Sequence, residues 1–400
     1  MYKIDEGIKR EKYTLLVPAT LDAHFPFLKY MFWSKEYRVE ILENTDGIVD
    51  AGLAYTNNEM CYPFILMVGQ VVKTLQSNQY DLDNTRLLMP TAGDACRGAC
   101  YIGMLSKALA KAGFEKCKVL TLNVRHVEEE INMKISMDMA IRGVAGMIYG
   151  DMLLLLSNQV RPYEKEKGSV NKIVDKWTKI LTKDLREGNH LTPKAIRNNI
   201  DEMCRKFASI EREEQERQKI SLVGEFYAKY CALGNWDVVD YMEERGCEVH
   251  VNGISWYAIY YIDTHMPEKP GLERKAFEFV RKLVVKIQDY MIDSLRKNGF
   301  HSMDNLDAIK EYSKDLVSQN FKTGDGWLLG AEVIGSIKSG FNKVLCVAPF
   351  GCMPNACCGR GLYPYLQRCF PEATISSVET DASGSKGNYY NRVEMLIHAK

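Results

Sequence analysis

The sequence has no excess of charge of either sign: 52 Lys plus Arg stand against 52 Asp plus Glu. No global field therefore favours nucleic acid or an anionic membrane surface, which argues against a nucleic-acid binder or a membrane-surface protein. Long apolar runs are also scarce. "MLLLL" at 152–156 is preceded by Asp151 and followed by Ser157 and Asn158, and "WYAIYYI" at 256–262 ends at Asp263, so neither reads as a bilayer span. The stretch Met1 to Lys12 is densely charged and lacks the apolar core of a secretion signal. These absences predict a cytoplasmic chain without a membrane partner. Its 400 residues are enough for two or three domains.

Several motifs are missing as well. No Cys-x-x-Cys occurs, which removes zinc ribbons and thioredoxin-like redox loops. Cys96-x-x-x-Cys100 has no third cysteine three residues on, so the usual radical-enzyme cluster loop is absent. No Gly-x-x-x-x-Gly-Lys followed by Ser or Thr is present, so no P-loop for ATP can be read. "HVEEE" at 126–130 lacks zincin spacing and reads as a solvated helix start. "GDGWLLG" at 324–330 follows no strand-like segment and is a poor dinucleotide loop.

What the chain does have is sulfur: 12 cysteines and 18 methionines. In a reducing compartment such thiols stay free, so their positions must say which of them matter. Short buried runs at 13–19, 37–42, 85–90 and 118–123 alternate with helical spacing at 61–78 and 100–113. That alternation predicts a parallel sheet covered on both faces. From about 128 to 230 the pattern is helical and charged, and "EREEQERQK" at 211–219 reads as a solvated helix face. Strands at 221–227, 247–251, 342–350 and 373–379 then alternate with helices at 236–246, 272–317, 359–369 and 388–398. The expected fold is α/β: two Rossmann-like or flavodoxin-like lobes with parallel sheets plus a helical connecting region. The expected divisions are 1–127 (with Cys61 and Cys96), 128–218 (helical) and 219–400 (with Cys352).

These three cysteines share one setting. Cys96 in "MPTAGDACRGAC" and Cys352 in "APFGCMPN" each follow a strand, and Cys61 in "NNEMCYPFILMVGQVV" opens a helix with Pro63 in its first turn. Ligands of open α/β sheets gather beyond the carboxyl ends of strands, and helix starts there favour thiolates. An iron–sulfur site, a zinc site and inert buried thiols all remain open on this reading. Cys117, Cys204, Cys231, Cys247, Cys346 and Cys369 fall inside strand or helix patterns and read as non-ligands.

The same stretches, with "VPATLDAHFPFLKYMFWSKEYRVEIL" before them, "VGEFYAKYCALGNWDVVDYMEERGCEV" between them and "GDGWLLGAEVIGSIKSGFNKVLCVAPFGCMPN" containing the last, carry a resemblance. Over approximately 12–400 the chain resembles the iron–sulfur component of the 2-hydroxyacyl-CoA dehydratase / benzoyl-CoA reductase / double-cubane cluster protein superfamily, most like the C-terminal half of large activator-fused members. The resemblance implies a cluster on Cys61, Cys96 and Cys352, either 4Fe–4S or an 8Fe–9S double cubane. It implies an ATP-dependent activator with its own cluster as electron donor, a homo- or heterodimer, and an acyl-CoA or other small-molecule substrate. The activity implied is that of a dehydratase or reductase component; the alternative is a non-catalytic electron carrier or assembly partner. Cys100, Cys357 and Cys358 exceed the usual three and would supply the second half of a double cubane. Arg97 and Arg360 are candidate holders of a CoA phosphate or carboxylate, or simple surface ion pairs. Glu59 and His24 are candidate proton carriers, His24 equally a satisfied structural residue. Gly69-Gln70 departs from the family's Gly-His.

Overall fold

The computed structural model describes residues 12–34, 36–89, 96–121 and 136–399. "HVEEE" and the glycine-containing stretch at 90–95 lie outside them. Two four-stranded sheets carry the molecule. The first comprises β1 (Tyr13–Val17), β2 (Tyr37–Ile41), β3 (Thr85–Leu88) and β4 (Lys118–Leu120). The second comprises β5 (Gln218–Gly224), β6 (Cys247–Val251), β7 (Lys343–Pro349) and β8 (Thr374–Thr380). All pairings are parallel, and the orders β2-β1-β3-β4 and β6-β5-β7-β8 are the same topology used twice. The inner strand β7 is buried beyond its first residue, and every residue of the edge strand β6 is buried as well, Glu248 and His250 included. Such runs, rather than alternation, mark parallel strands with helices on both faces.

The first lobe adds α1 (Phe25–Phe32), α2 (Ile48–Tyr55), α3 (Tyr62–Gln76) and α4 (Tyr101–Lys111). A helical section follows: α5 (Met137–Val160), α6 (Ser169–Glu187) and α7 (Pro193–Ala208). The second lobe contains α8 (Phe226–Tyr230), α9 (Ala232–Asn235), α10 (Val238–Glu244), α11 (Ile254–His265) and α12 (Gly271–Lys297). It closes with α13 (Leu306–Ser313), α14 (Leu328–Lys338), α15 (Tyr363–Cys369) and α16 (Lys386–His398). The two-lobe α/β architecture expected from the sequence is thus present.

Two local expectations need correction. Residues 211–217 are not a helix face: α7 ends at Ala208, and the segment runs as exposed irregular chain into β5. It holds no apolar residue to bury, so nothing fastens a helix there. The helix expected at 359–369 is a wide π turn, Asn355–Arg360, followed by the separate α15.

The short apolar runs also understated α5. Met137–Tyr163 is long and apolar enough to cross a membrane by length and composition, but 61% of its most apolar window is buried inside the molecule. It packs against α1, α6, α7 and β6. Its Asp151 is fully buried and accepts the backbone N–H groups of Ile254 (2.7 Å) and Ser255 (3.1 Å), capping α11. The same carboxylate meets His24 Nε2 at 2.8 Å. His24, also fully buried, is therefore a tie between the lobes and does not line the thiol cavity. Asp151→Ala strands three buried donors at once. We expect it to cost about 3–5 kcal/mol, read as a lower urea midpoint at unchanged m-value.

Candidate functional site

In each sheet, strands are added in one direction and then the other, so the connections leaving the central pair diverge. The crevice between them is the usual ligand position in such folds. Here the two crevices share one cavity of about 360 Å³. Thr20 reaches it from the connection after β1, Cys96 to Gly98 from that after β3, Glu225 to Tyr227 from that after β5, and Gly351 to Pro354 from that after β7. Gly224 makes this possible on the second lobe: its φ is +131°, and a Cβ there would lie 2.0 Å from the Val347 carbonyl oxygen. Only glycine lets β5 and β7 stay adjacent at that point.

Cys61, Cys96 and Cys352 all line this cavity, although they lie far apart in sequence. Cys61 is the N-cap residue of α3, with Pro63 in the first turn. Cys96 caps the short turn Arg97–Cys100 that leads into α4. Cys352 follows Gly351, whose φ of +67° turns the chain at the end of β7. Each sulfur has a donor of its own. The Tyr101 hydroxyl lies 2.8 Å from Cys61 Sγ, the Gly98 amide donates to Cys96 Sγ at 3.3 Å, and Asn355 Nδ2 donates to Cys352 Sγ at 3.3 Å. Such donors stabilise negative charge on sulfur and tune the group that sulfur binds.

Burial acts the other way. It pushes the Cys61 thiol up to about 11, raises Cys96, and raises Cys352 further, with the Glu225 carboxylate adding to the last. Left to themselves the three thiols keep their protons at neutral pH. A bound cation would have to displace those protons, so loading and proton release are coupled. Among the described residues, no three His, Cys, Asp or Glu side chains converge closely enough to hold a single metal ion.

The additional candidates lie elsewhere. Cys100 and Cys357 are exposed, Cys358 is buried in the π turn, and none of the three lines the cavity. Arg97 does line it, and its guanidinium donates to the Gly351 carbonyl at 3.0 Å, joining the Cys96 and Cys352 loops across the lobes. Arg360 instead pairs with Glu379 at 2.6 Å, outside the cavity lining. Glu59 is exposed and away from the site. Gln70 is fully buried and stitches loops together, accepting from the Ala19 amide at 3.1 Å and donating to the carbonyls of Leu42 (3.3 Å) and Asn44 (3.1 Å). A structural role accounts for it.

Sequence reading missed the acidic and aromatic wall. Glu225 and Asp325 line the cavity beside Phe226, Tyr257 and Tyr261. Asp325 stands in "GDGWLLG" between two glycines with positive φ, so that run builds a carboxylate-presenting turn. Glu225 follows the last residue of β5 and caps α8 through the Ala228 amide at 2.8 Å. Burial raises both carboxyls, Asp325 strongly, and the Glu225 charge raises Asp325 further. The strand expected at 221–227 takes in Glu225, whereas β5 ends at Gly224 and leaves that acid directly beyond it; Asp325 stands inside a glycine run. Neither points to the other without the fold.

These raised carboxyls make a stability prediction. A raised folded-state value means that the folded form binds more protons than the unfolded form above the ordinary carboxyl range. The stabilisation is therefore full at low pH and lost as pH rises. Asp325→Asn should flatten that slope and gain about 1–3 kcal/mol at the alkaline end, measured as urea midpoints from pH 5 to pH 8.

No family model, curated protein or solved structure matches the chain.

Proposed function

We propose that Cys61, Cys96 and Cys352 hold an iron–sulfur cluster in this cavity, and that the protein is a low-potential reductase or dehydratase component. The observation that carries this reading is the convergence of three thiols, each with its own hydrogen-bond donor, on the cavity formed by both switch points. The donor set fits the group. A single zinc ion needs its sulfurs gathered around one point, whereas a four-iron cluster spreads its ligands over the corners of a larger body. Three sulfurs around a 360 Å³ space suit the second. Bound there, the cluster would supply a low-potential electron and one iron free of protein sulfur.

The chain's own part is positional. Tyr101, Gly98 and Asn355 hold the sulfurs. Phe226, Tyr257 and Tyr261 exclude water around a substrate. Glu225 and Asp325 can hold a proton at the cavity wall. The resemblance of the sequence extends the proposal to an ATP-dependent activator as electron donor, an acyl-CoA or other small molecule as substrate, and a dimer as the working form.

The test is anaerobic reconstitution with iron and sulfide, followed by iron analysis and electron paramagnetic resonance. Brown protein with about four iron per chain and net proton release is expected. Colourless, iron-free protein sinks the reading. Turnover with an activator, ATP and a panel of acyl-CoA thioesters separates a catalytic component from an electron carrier.

A further inference from the structure

A second cavity, of about 640 Å³, lies at the opposite, amino-terminal end of the second sheet. It opens where β5, β6 and β7 begin and is walled by residues 212–219, Glu248 and the 299–301 turn. Its polar groups do not balance one another. Glu248 is 3% exposed; its Oε2 accepts from the Tyr163 hydroxyl at 2.6 Å, while its Oε1 is buried without a partner. Lys219 stands opposite Glu248 in the β5–β6 register, yet no ion pair joins them. Its ammonium instead donates to His301 Nε2 at 2.5 Å, a base in place of an acid. Burial, and after it the Lys219 charge, lowers the pKa of that imidazole.

The other charges around the cavity are engaged or solvated. Arg217 pairs with Glu213 at 3.1 Å through its terminal nitrogen, leaving its buried Nε unpartnered. Lys343 donates to the carbonyls of Ile397 (2.8 Å) and Ala399 (2.5 Å). Arg212 lies over the Phe300 ring at 5.7 Å, and Glu214 and Glu216 are exposed. One buried acceptor and one cation without a counter-charge therefore face the same space, beside the rings of Tyr163 and Phe300.

A carboxylate oxygen without a donor and an ammonium without a counter-charge in one cavity call for a ligand carrying both signs. We propose that this cavity binds a zwitterion, an α-amino acid or a short peptide, with its ammonium on Glu248 and its carboxylate on Lys219 and the Arg217 Nε–H. The rings of Tyr163 and Phe300 receive the side chain. The site stands apart from the thiol cavity and needs no iron.

The test is calorimetric titration and thermal shift of the iron-free full chain with L-phenylalanine, glycyl-phenylalanine, 3-phenylpropionate and phenethylamine. Phenylalanine or its dipeptide should bind saturably, and the better of the two names the source. The analogues lacking one charge should bind at least about tenfold more weakly. Glu248→Gln, which keeps the acceptor for Tyr163, and Lys219→Met, at the cavity rim, should each weaken binding at least about tenfold. No saturable binding of either zwitterion overturns the proposal. So does 3-phenylpropionate binding as tightly as phenylalanine with Glu248→Gln unaffected, the outcome of a plain anion site. Because iron is absent throughout, either result is independent of the fate of the cluster reading.

Discussion

Cys61→Ala, Cys96→Ala and Cys352→Ala are each expected to take iron from about four per chain to near zero after anaerobic reconstitution. The three sulfurs enter from different loops, and no other thiol lines the cavity to replace a lost one. A cluster left with two protein ligands has lost a third of its anchoring charge and exposes an additional iron. The effect should therefore be all-or-none rather than graded. Cys100→Ala, Cys357→Ala and Cys358→Ser supply the contrast. Two of those residues are exposed and the third is buried in the π turn, so each variant should keep its full iron and its resonance spectrum. If instead all six substitutions lower iron from about eight per chain, the double-cubane arrangement holds, and the π turn must rearrange on loading. Retention of the cluster in any of the first three variants would falsify that residue's assignment.

Much of the fold could be read from the sequence because parallel strands buried on both faces leave continuous apolar runs. "KVLCVAP" is visible as a strand for that reason. The three thiols were legible through a local rule, a cysteine just beyond a strand or at a helix start. What could not be read is what depends on two distant segments meeting. Tyr101 looks like an ordinary helix residue until the fold sets it against Cys61, 40 residues away in sequence, whereas Asn355 is a local donor three residues beyond Cys352. The segment 211–217 misled because charge alone does not separate a solvated helix from exposed chain; the absence of any apolar anchor was the decisive feature. α5 was underestimated because Asp151 interrupts its apolar run, although that residue serves the interior.

A stability effect as large as that at Asp151 is expected at Lys229. Its ammonium donates to both oxygens of Glu332, at 2.8 and 2.9 Å, and the two residues are 4% and 1% exposed. Removal of the lysine leaves Glu332 charged in the interior, near a wall that already holds Glu225 and Asp325. Lys229→Met should therefore cost about 3–5 kcal/mol, far more than the side chain's packing alone. The sign of its pH dependence follows. In the variant the Glu332 carboxyl favours its proton in the folded state, so the deficit is smallest at acid pH and widens as pH rises. Lys229→Met combined with Glu332→Leu removes both charges and should recover most of the loss, since a buried pair replaced by apolar groups is often neutral. Recovery in the double variant, with the single variant's deficit growing from pH 5 to pH 8 in urea titrations, marks an uncompensated charge. An equal deficit at every pH, unrelieved by the second substitution, marks lost packing instead. Because Lys229 lies on α8, four residues beyond Glu225, the single variant should also loosen the turn that presents Glu225 to the cavity. Amide exchange at Tyr227 and Ala228 should then rise above the wild-type rate before global unfolding.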